Sequence, residues 1–332
     1  MKLLMAGDVG ATKTSLALYS KVRGLRDPIA RSTFPSASYE TFEDLTNEFL
    51  AQSDARVACM VLGVAGPVEG GTARITNLTW VIDTDLLSSI SGAGRIHLLN
   101  DLEAVALGIP LLGEADLYVL NKGQPSEHGP MAIIAPGTGL GEAYLTWDGS
   151  RYRAHASEGG HSDFAPRDLK EMALLEYLLG RYEHVSYERI CSGSGIPNIY
   201  AFLKDKGYHK EPAWLAEELS KTSDPTVVIR ETAQDSQRTC DLCRETLKMF
   251  VSILGAETGN LALKLLPTGG IYLGGGISPR IIEMLENGMF LNAFLSKGRL
   301  SRILNRIPIS VILNTDIGLL GAAGFGMDIM NT

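Results

Sequence analysis

The chain has 332 residues, of which 45% are hydrophobic, and its 38 acidic and 30 basic residues give a formal charge of −8. A chain of this length can bury a large core and is typical of about two domains. The acidic balance, without a long run of Lys or Arg, argues against partners such as nucleic acids or anionic membranes. No apolar stretch approaches the ~18 residues of a membrane-spanning helix, and Asp8 interrupts the segment where a signal peptide would continue. We therefore expect a cytoplasmic protein.

The cysteines are too few and too scattered for a disulfide framework, which favours a reducing compartment. Cys240 and Cys243 have the spacing of half a zinc site or of a redox motif. No second cysteine pair or histidine pair follows them, so we interpret them as ordinary residues that share one face of a helix.

The first third of the chain predicts a sheet that begins at the N-terminus. Residues 2 to 35 contain apolar segments separated by glycines and turn residues, which predicts strands joined by tight turns. A helix around 40–52 precedes ARVACMVLGVAGP, a near-continuous apolar run that is typical of a strand buried on both faces. A short helix is then predicted from Thr84 to Ile90, with Thr84 as its candidate N-cap.

The segment RIHLLNDLEAVALGIP combines three signals. It predicts a strand, a polar pair formed by Asn100 and Asp101, and a helix that ends at Gly108 and Pro110. Ligands in α/β proteins commonly bind where the carboxyl end of a strand opens into a helix. Asp101 is thus a candidate functional carboxylate, although capping of the helix would explain it equally well.

The rest of the chain repeats this alternation on a larger scale. Strands are predicted near 116–120, 131–135, 141–147 and 151–155, then mostly helices from about 167 to 266, a strand at GIYLGGG, helices across 279–296, a strand at PISVILN and a terminal helix through GLLGAAGF. We expect an α/β protein with a small domain of residues 1–110 plus about 316–332, and a large domain of residues 111–315.

Glycine-rich turns follow three of the predicted strands. Glycine has no Cβ and accepts positive φ, so these turns can bring backbone N–H groups close to phosphate oxygens. A single such turn is often only a tight β-turn, but three together favour a nucleotide. The candidate ATP or phosphate ligands are Asp8, Gly10, Ala11, Thr12, Lys13, Thr14, Gly137, Thr138, Gly139, Gly275 and Gly276.

Two familiar nucleotide motifs are excluded. A Walker A loop needs glycine before its lysine, and Thr12 precedes Lys13 here. The turn GTGLG is followed by EAYLTW, which predicts a strand and not the helix of a dinucleotide-binding turn. Asp8, beside the first turn, is a candidate for holding Mg²⁺ through water, because Mg²⁺ commonly binds one or two carboxylates together with substrate phosphates.

A second set of polar side chains suits a polyol. Glu158 and His161 flank the two glycines of SEGGH, and Glu188 follows downstream. Carboxylates accept hydrogen bonds from hydroxyls, whereas amides and neutral histidine can donate or accept them. With Asn100 and Asp101 these residues are candidate sugar ligands. Taken singly, Glu158 and Glu188 would more often be solvated or ion-paired carboxylates, and His161 would more often be a turn histidine with its hydrogen bonds satisfied.

Several motifs resemble, in order, those of the bacterial glucokinase family: DVGATKTSLALY, GVAGPV, TNLTW, LNDLEAVALG, APGTGLGEA, SEGGHSDFAP, ERICSGSGIPNIY, GGIYLGGGI, FLSKGRL and GLLGAA. They span nearly the full chain, and SEGGHSDFAP and LNDLEA are more specific than the glycine turns.

The resemblance implies the two-lobed actin-like ATPase (ribonuclease H-like) fold, with ATP and glucose meeting in an interlobe cleft, Mg²⁺ as cofactor and a homodimer as the assembly. Asp101 resembles the catalytic base, and Asn100, Glu158, His161 and Glu188 resemble the sugar contacts. The zinc-binding cysteine cluster of the related repressor and open-reading-frame kinase family does not follow SEGGH.

Three other functions remain open at this stage. Another hexose such as mannose, fructose or an amino sugar could be the substrate. A sugar-sensing regulator would need a DNA-binding module, and the first strand begins at residue 2. A nucleotide-driven interaction protein would need the glycine turns but not the sugar residues.

Overall fold

The computed structural model of the chain describes residues 2–52 and 56–330. The strands are β1 (Leu3–Val9), β2 (Lys13–Tyr19), β3 (Ala30–Pro35), β4 (Val57–Val64), β5 (Val68–Glu69), β6 (Thr72–Arg74), β7 (Val81–Asp83), β8 (Arg95–Asn100), β9 (Leu117–Asn121), β10 (Met131–Pro136), β11 (Leu140–Trp147), β12 (Tyr152–Ser157), β13 (Gly270–Leu273) and β14 (Ile309–Ile312).

The α-helices are α1 (Phe42–Ala51), α2 (Thr84–Ser91), α3 (Asp101–Gly108), α4 (Leu169–Leu179), α5 (Gly195–Asp205), α6 (Ala213–Lys221), α7 (Pro225–Gln234), α8 (Asp241–Leu265), α9 (Ile282–Glu286), α10 (Met289–Leu295), α11 (Ser301–Leu304) and α12 (Ile317–Ile329). Ala55, which begins one predicted strand, and residues 331–332, which end the predicted small domain, lie outside the described residues.

The chain divides into two compact units. The first comprises Met1–Asp116, Leu145–Ala156 and Asn314–Thr332, and the second comprises Leu117–Tyr144 and Ser157–Leu313. Both contain strands and helices, which confirms the predicted α/β class. The segment Leu145–Ala156 groups with the first unit, although the sequence analysis assigned it to the large domain.

The first unit contains a five-stranded sheet in the order β3-β2-β1-β4-β8. Strands β1, β4 and β8 are parallel to one another, whereas β1, β2 and β3 pair antiparallel. Nearly every residue of β1 and β4 is buried, and hydrophobic clusters form on the sheet. Burial on both faces explains why these strands are continuous apolar runs in the sequence.

Two local features of this unit were not predicted correctly. The short strands β5, β6 and β7 form a separate sheet, because strands of two or three residues leave no readable alternation. Thr84 is not the N-cap of α2. The carboxylate of Asp83 accepts the N–H groups of Asp85 and Leu86 at 2.8 and 3.0 Å. Thr84 is already helical, so its side chain cannot take the capping position.

The terminal helix α12 packs against α3 and β1 of the first unit. A Cβ added to Gly321 would lie 1.8 Å from the carbonyl oxygen of Ala104, and one added to Gly108 would lie 2.6 Å from Ile317. Glycines are therefore required where these helices touch. The packing holds the first residue of α3, Asp101, on a rigid element.

The six-stranded sheet has the order β12-β11-β10-β13-β14-β9, in which β10, β13 and β14 are parallel. The long helix α8 belongs to the second unit and buries most of its side chains, including Glu257. A helix that is largely apolar around its circumference is a core helix. It supports the β-strands whose ends carry the glycine turns.

Candidate active site

The carboxyl ends of the parallel strands in the first unit lie at one edge of the sheet. Register aligns Val9 of β1 with Val64 of β4, and Val64 with Asn100 of β8. Asp8 and Asp101 therefore stand near the same edge, where ligands of open α/β sheets bind. The structure brings together two carboxylates that are distant in sequence.

Asn100 caps α3, and Asp101 is the first helical residue. The N–H of Leu102 donates to Oδ1 of Asn100 at 3.0 Å and to Oδ1 of Asp101 at 2.8 Å. Asn100 also donates through Nδ2 to the carbonyl oxygen of Gly66 at 3.4 Å. Asn100, and not Asp101, is therefore the N-cap residue of α3. These bonds fix the orientation of the neighbouring Asp101 carboxylate.

Burial and negative neighbours change the acidity of this edge. Burial, followed by the charge of Asp101, raises the pKa of Asp8 to about 6; Lys13 opposes the rise and Asp316 adds to it. Burial also raises the pKa of Asp101, while hydrogen bonds from the Leu102 N–H and from Asn100 lower it. A carboxylate with a raised pKa is a better proton acceptor than one in water.

The residues at this edge fit a divalent cation held through water. Asp8 is an oxygen ligand whose negative neighbours disfavour its charged form, and a cation would relieve that repulsion. In residues 2–52 and 56–330, no group of three or more His, Cys, Asp or Glu side chains forms a metal cage. Asp8 is therefore the residue at this edge that could hold such a cation, with water completing its coordination shell.

The first glycine turn connects β1 and β2 as a hairpin. The N–H of Gly10 donates to the carbonyl oxygen of Lys13 at 3.1 Å, and the buried Ser36 donates its hydroxyl to the carbonyl oxygen of Gly10 at 2.6 Å. Thr12 is exposed, whereas Thr14 is buried and its hydroxyl bonds to Ser36 at 2.9 Å. Thr14 therefore supports the loop, and Thr12 and Lys13 face solvent.

Three predicted sugar ligands lie together in the second unit. His161 Nε2 is 3.9 Å from Oε2 of Glu158, and its Nδ1 is 4.0 Å from Oε1 of Glu188. The side chains of His161 and Glu158 are 58% and 92% exposed, so both can reach a ligand. Glu188 is anchored, because its Oε2 accepts the Leu140 N–H at 3.0 Å.

Close approaches explain the glycines of the segment SEGGH. A Cβ on Gly159 would lie 2.0 Å from Oε2 of Glu142, and one on Gly160 would lie 2.0 Å from the carbonyl oxygen of Leu140. A Cβ on Gly139 would likewise lie 2.3 Å from Oε2 of Glu188. The glycine turn 137–139 and the sugar segments are therefore packed directly against one another.

The two glycine turns of the second unit are adjacent because β10 and β13 are neighbouring parallel strands. The Gly274 N–H donates to Ile134 O at 2.9 Å, and the Ile277 N–H donates to Pro136 O at 3.2 Å. Gly275 has φ +72°, and a Cβ there would lie 2.3 Å from the carbonyl oxygen of Pro136. The two glycine turns therefore lie directly beside one another.

A third segment beside these turns belongs to the motif ERICSGSGIPNIY but was not among the predicted site residues. The Gly193 N–H donates to the carbonyl oxygen of Gly137 at 2.7 Å, and Ser192 accepts the Gly195 N–H at 3.1 Å at the start of α5. The run of small residues CSGSG before a helix was the available signal. The hydrogen bond from Gly193 places a third glycine-containing segment beside the turn 137–139.

Cys240 and Cys243 are buried free thiols at the start of α8. Cys243 lies in the first turn of α8, whereas Cys240 is its extended N-cap residue, so the prediction of two helix residues holds only for Cys243. Among the residues that the structure describes, no helix is long and apolar enough to cross a membrane.

Comparisons with known proteins identify the family of the chain. The sequence model of the family described as Glucokinase matches residues 5–328. A glucokinase of Nostoc punctiforme (strain ATCC 29133 / PCC 73102) is 40% identical over 340 aligned residues, which cover 97% of this chain and 98% of the relative.

Solved structures extend the likeness to the fold. A glucokinase from an Antarctic psychrotroph has a TM-score of 0.83 and 28% identity, and 99% of each chain is covered. A ROK family glucokinase from Streptomyces griseus, in complex with glucose and AMPPNP, has a TM-score of 0.64 at 20% identity, covering 98% of this chain and 99% of the other. The fold is therefore that of the two-lobed actin-like ATPases, as the sequence predicted.

Proposed function

The chain belongs to the glucokinase family, and on that premise we propose that Asp101 is the catalytic base that deprotonates the 6-hydroxyl of glucose. Family membership makes the protein an ATP-dependent hexose kinase. In the proposed step, O6 of the sugar bonds to the γ-phosphorus of ATP as its proton passes to Asp101. The bond from the γ-phosphorus to the bridging oxygen breaks, and glucose 6-phosphate and ADP leave.

The observation that carries the proposal is the position of His161 within 4.0 Å of both Glu158 and Glu188. Two acceptors and a group that can donate or accept form a pattern matched to adjacent hydroxyls of a sugar. We assign these three residues and Asn100 to sugar binding. A site that hydrogen-bonds hydroxyls rejects analogues that lack them, so it would be selective among polyols.

We assign the phosphates of ATP to the glycine turns, with Gly10, Ala11, Thr12 and Lys13 in the first unit. In the second unit the assigned residues are Gly137, Thr138, Gly139, Gly275 and Gly276. Phosphoryl transfer depends mostly on positioning and on electrostatic stabilisation of the oxygens. Mg²⁺, when bound near Asp8, would neutralise part of the phosphate charge.

The test is a coupled assay for ADP release with ATP and a panel of hexoses, namely glucose, mannose, fructose and amino sugars. We expect glucose to have the highest kcat/KM. A higher value for another sugar would change the assignment of the substrate. ATP hydrolysis without hexose-dependent transfer would instead favour a nucleotide-driven interaction protein.

Two variants test the role of Asp101. Asp101→Ala should remove most of kcat, and Asp101→Asn, which preserves the shape and can still accept the Leu102 N–H, should lower kcat by ~10²–10⁴-fold. Glucose binding measured without ATP should remain, because the other sugar contacts are unchanged. A kcat of Asp101→Asn within a few-fold of wild type would refute the base assignment.

We also propose a cytoplasmic homodimer. The free cysteines and the use of ATP suit a reducing compartment that contains ATP. The dimer follows only from the family resemblance. Sedimentation equilibrium across a range of protein concentrations tests it, and a monomer at all concentrations would contradict it.

A further inference from the structure

Two buried carboxyl groups of the second unit are not used by the proposed mechanism. Glu142 lies on β11 and is 1% exposed, and Glu257 lies on α8 and is 0% exposed. Within the described part of the chain, Oε1 of each has no hydrogen-bond partner. An ionised carboxylate that is buried without partners costs several kcal/mol, so such a group retains a proton or shares one.

Glu142 packs against the first sugar-binding segment, residues 158–161. A Cβ on Gly159 would lie only 2.0 Å from its Oε2, so the carboxyl group touches the backbone between Glu158 and His161. The Gly159 N–H is already taken by Ser157 Oγ at 3.0 Å. The carboxyl group therefore supports this segment by contact, and a change in its charge acts directly beneath the proposed ligands.

Glu257 stabilises the second sugar-binding segment, the 3₁₀ turn Tyr187–Arg189 that contains Glu188. Its Oε2 accepts a hydrogen bond from Asn260 Nδ2 at 2.8 Å, and the same nitrogen donates to the Tyr187 hydroxyl at 2.9 Å. Tyr187 also lies close enough to Glu257 for each group to shift the pKa of the other. Because Tyr187 precedes Glu188 in a single 3₁₀ turn, the network of Glu257 fixes the backbone that carries Glu188.

We propose that Glu142 and Glu257 are positioning residues of the two sugar-binding segments, that Glu142 acts in its protonated form, and that loss of its proton weakens the binding of glucose. The inference rests on the proposed sugar-binding role of Glu158, His161 and Glu188. With the proton present, one uncharged and one charged carboxyl group support the two segments. Without it, Glu142 carries a buried charge whose Oε1 has no hydrogen-bond partner, directly against the backbone of Gly159.

The surrounding charges decide which member keeps the proton. Burial, and then the charge of Glu257, raise the pKa of Glu142 to about 7 against the opposing effect of Lys264. Burial raises the pKa of Glu257 as well, but Asn260, Lys264, Tyr187 and Lys297 all lower it. The groups around the two carboxyls therefore favour the proton on Glu142 over the proton on Glu257.

The other titratable groups around the pair do not supply a partner for Glu142. The Cys191 thiol stays neutral, because burial and the charges of Glu257, Glu171 and Glu142 raise its pKa. Glu171 is paired with Arg167, whose guanidinium lies 2.5 Å away. Lys297 donates its ammonium to Asn260.

The test measures the KM for glucose from pH 6 to pH 8 at saturating ATP, together with calorimetric glucose binding without ATP. If only the form with Glu142 protonated binds tightly, a group titrating at about 7 gives a roughly tenfold rise in both constants across this range. Glu142→Gln, which is neutral at every pH, should keep the wild-type affinity of pH 6 up to pH 8. An equal rise in Glu142→Gln would assign the pH dependence to another group and would overturn the proposal.

Two further variants keep the test decisive. Glu257→Gln removes the neighbouring charge and should move the midpoint of the KM profile to lower pH; an unchanged midpoint counts against the pair. Glu171→Gln removes a carboxyl group that is 3% exposed but ion-paired, and should leave the pH dependence of the glucose KM intact. Loss of the dependence in this control would show a general effect of core acids, against the proposal. Absence of glucose phosphorylation by wild type at any pH would instead reject the proposed function.

Discussion

Substitution of Gly160 by alanine tests whether the backbone of SEGGH sets the position of the sugar ligands. The new Cβ would lie 2.0 Å from the carbonyl oxygen of Leu140, and this distance must grow to at least 3.4 Å before ordinary contact begins. The obstacle is backbone of a central strand, so the turn must move. Overpacking of this kind costs about 1–3 kcal/mol and lowers Tm by roughly 2–10 °C.

The functional effect should exceed the effect on stability. Misplacement by about 1 Å can cost ~10²-fold in catalytic efficiency, and Gly160 lies between Glu158 and His161. We expect the KM for glucose to rise by ~10²-fold, while the KM for ATP changes little. Initial rates from the coupled assay, with glucose and ATP varied separately, measure both constants, and thermal melting monitors the fold.

Gly180→Ala is the matched control in the same unit. Gly180 has φ −72° and ψ −7°, and its Cβ would come no closer than 3.4 Å to the nearest atom, the carbonyl oxygen of Tyr177. This substitution should leave the kinetics unchanged. It should stabilise the fold by about 0.4–1 kcal/mol, because alanine reduces the conformational entropy of the unfolded chain. A folded Gly160→Ala enzyme with the wild-type KM for glucose would refute the reasoning about this turn.

Three more perturbations test the site. Asp8→Asn should lower kcat and require more Mg²⁺, as a magnesium titration would reveal; unchanged magnesium dependence would remove Asp8 from the metal site. Because the pKa of Asp8 rises from 3.8 to about 6 on folding, the folded state holds extra protons between these values and stability falls as pH rises through them. Asp8→Asn should therefore melt above wild type at pH 7.5, by a margin that shrinks towards pH 4. Gly193→Ala, whose Cβ would lie 3.1 Å from the carbonyl oxygen of Gly137, should raise the KM for ATP more than that for glucose; the opposite order would contradict its placement by the phosphate turn. A zinc-selective chelator should leave Tm and activity unchanged. A fall in either quantity would indicate that Cys240 and Cys243 bind zinc.

The candidate base shows what local sequence signals can predict and what they cannot. The strand RIHLLN, the polar pair and the helix that follows were readable because their apolar period changes at Asn100 and Asp101. Whether Asp101 was only a cap could not be decided, since a cap and a functional carboxylate look the same in sequence. In the structure Asn100 is the N-cap residue of α3. The structure also brings Asp8 near Asp101, because strand register joins positions far apart in the chain.

The sequence by itself determined the α/β class, most strands and helices, the family, and the residue types of the candidate site. These depend on periodicity, turn chemistry and ordered motifs, which are local properties of the chain. Only the tertiary structure decided that His161 stands between Glu158 and Glu188, and that Glu142 and Glu257 lie buried near these segments. Such facts depend on which strand ends meet, and an isolated glutamate in a sequence carries no sign that folding will remove it from water.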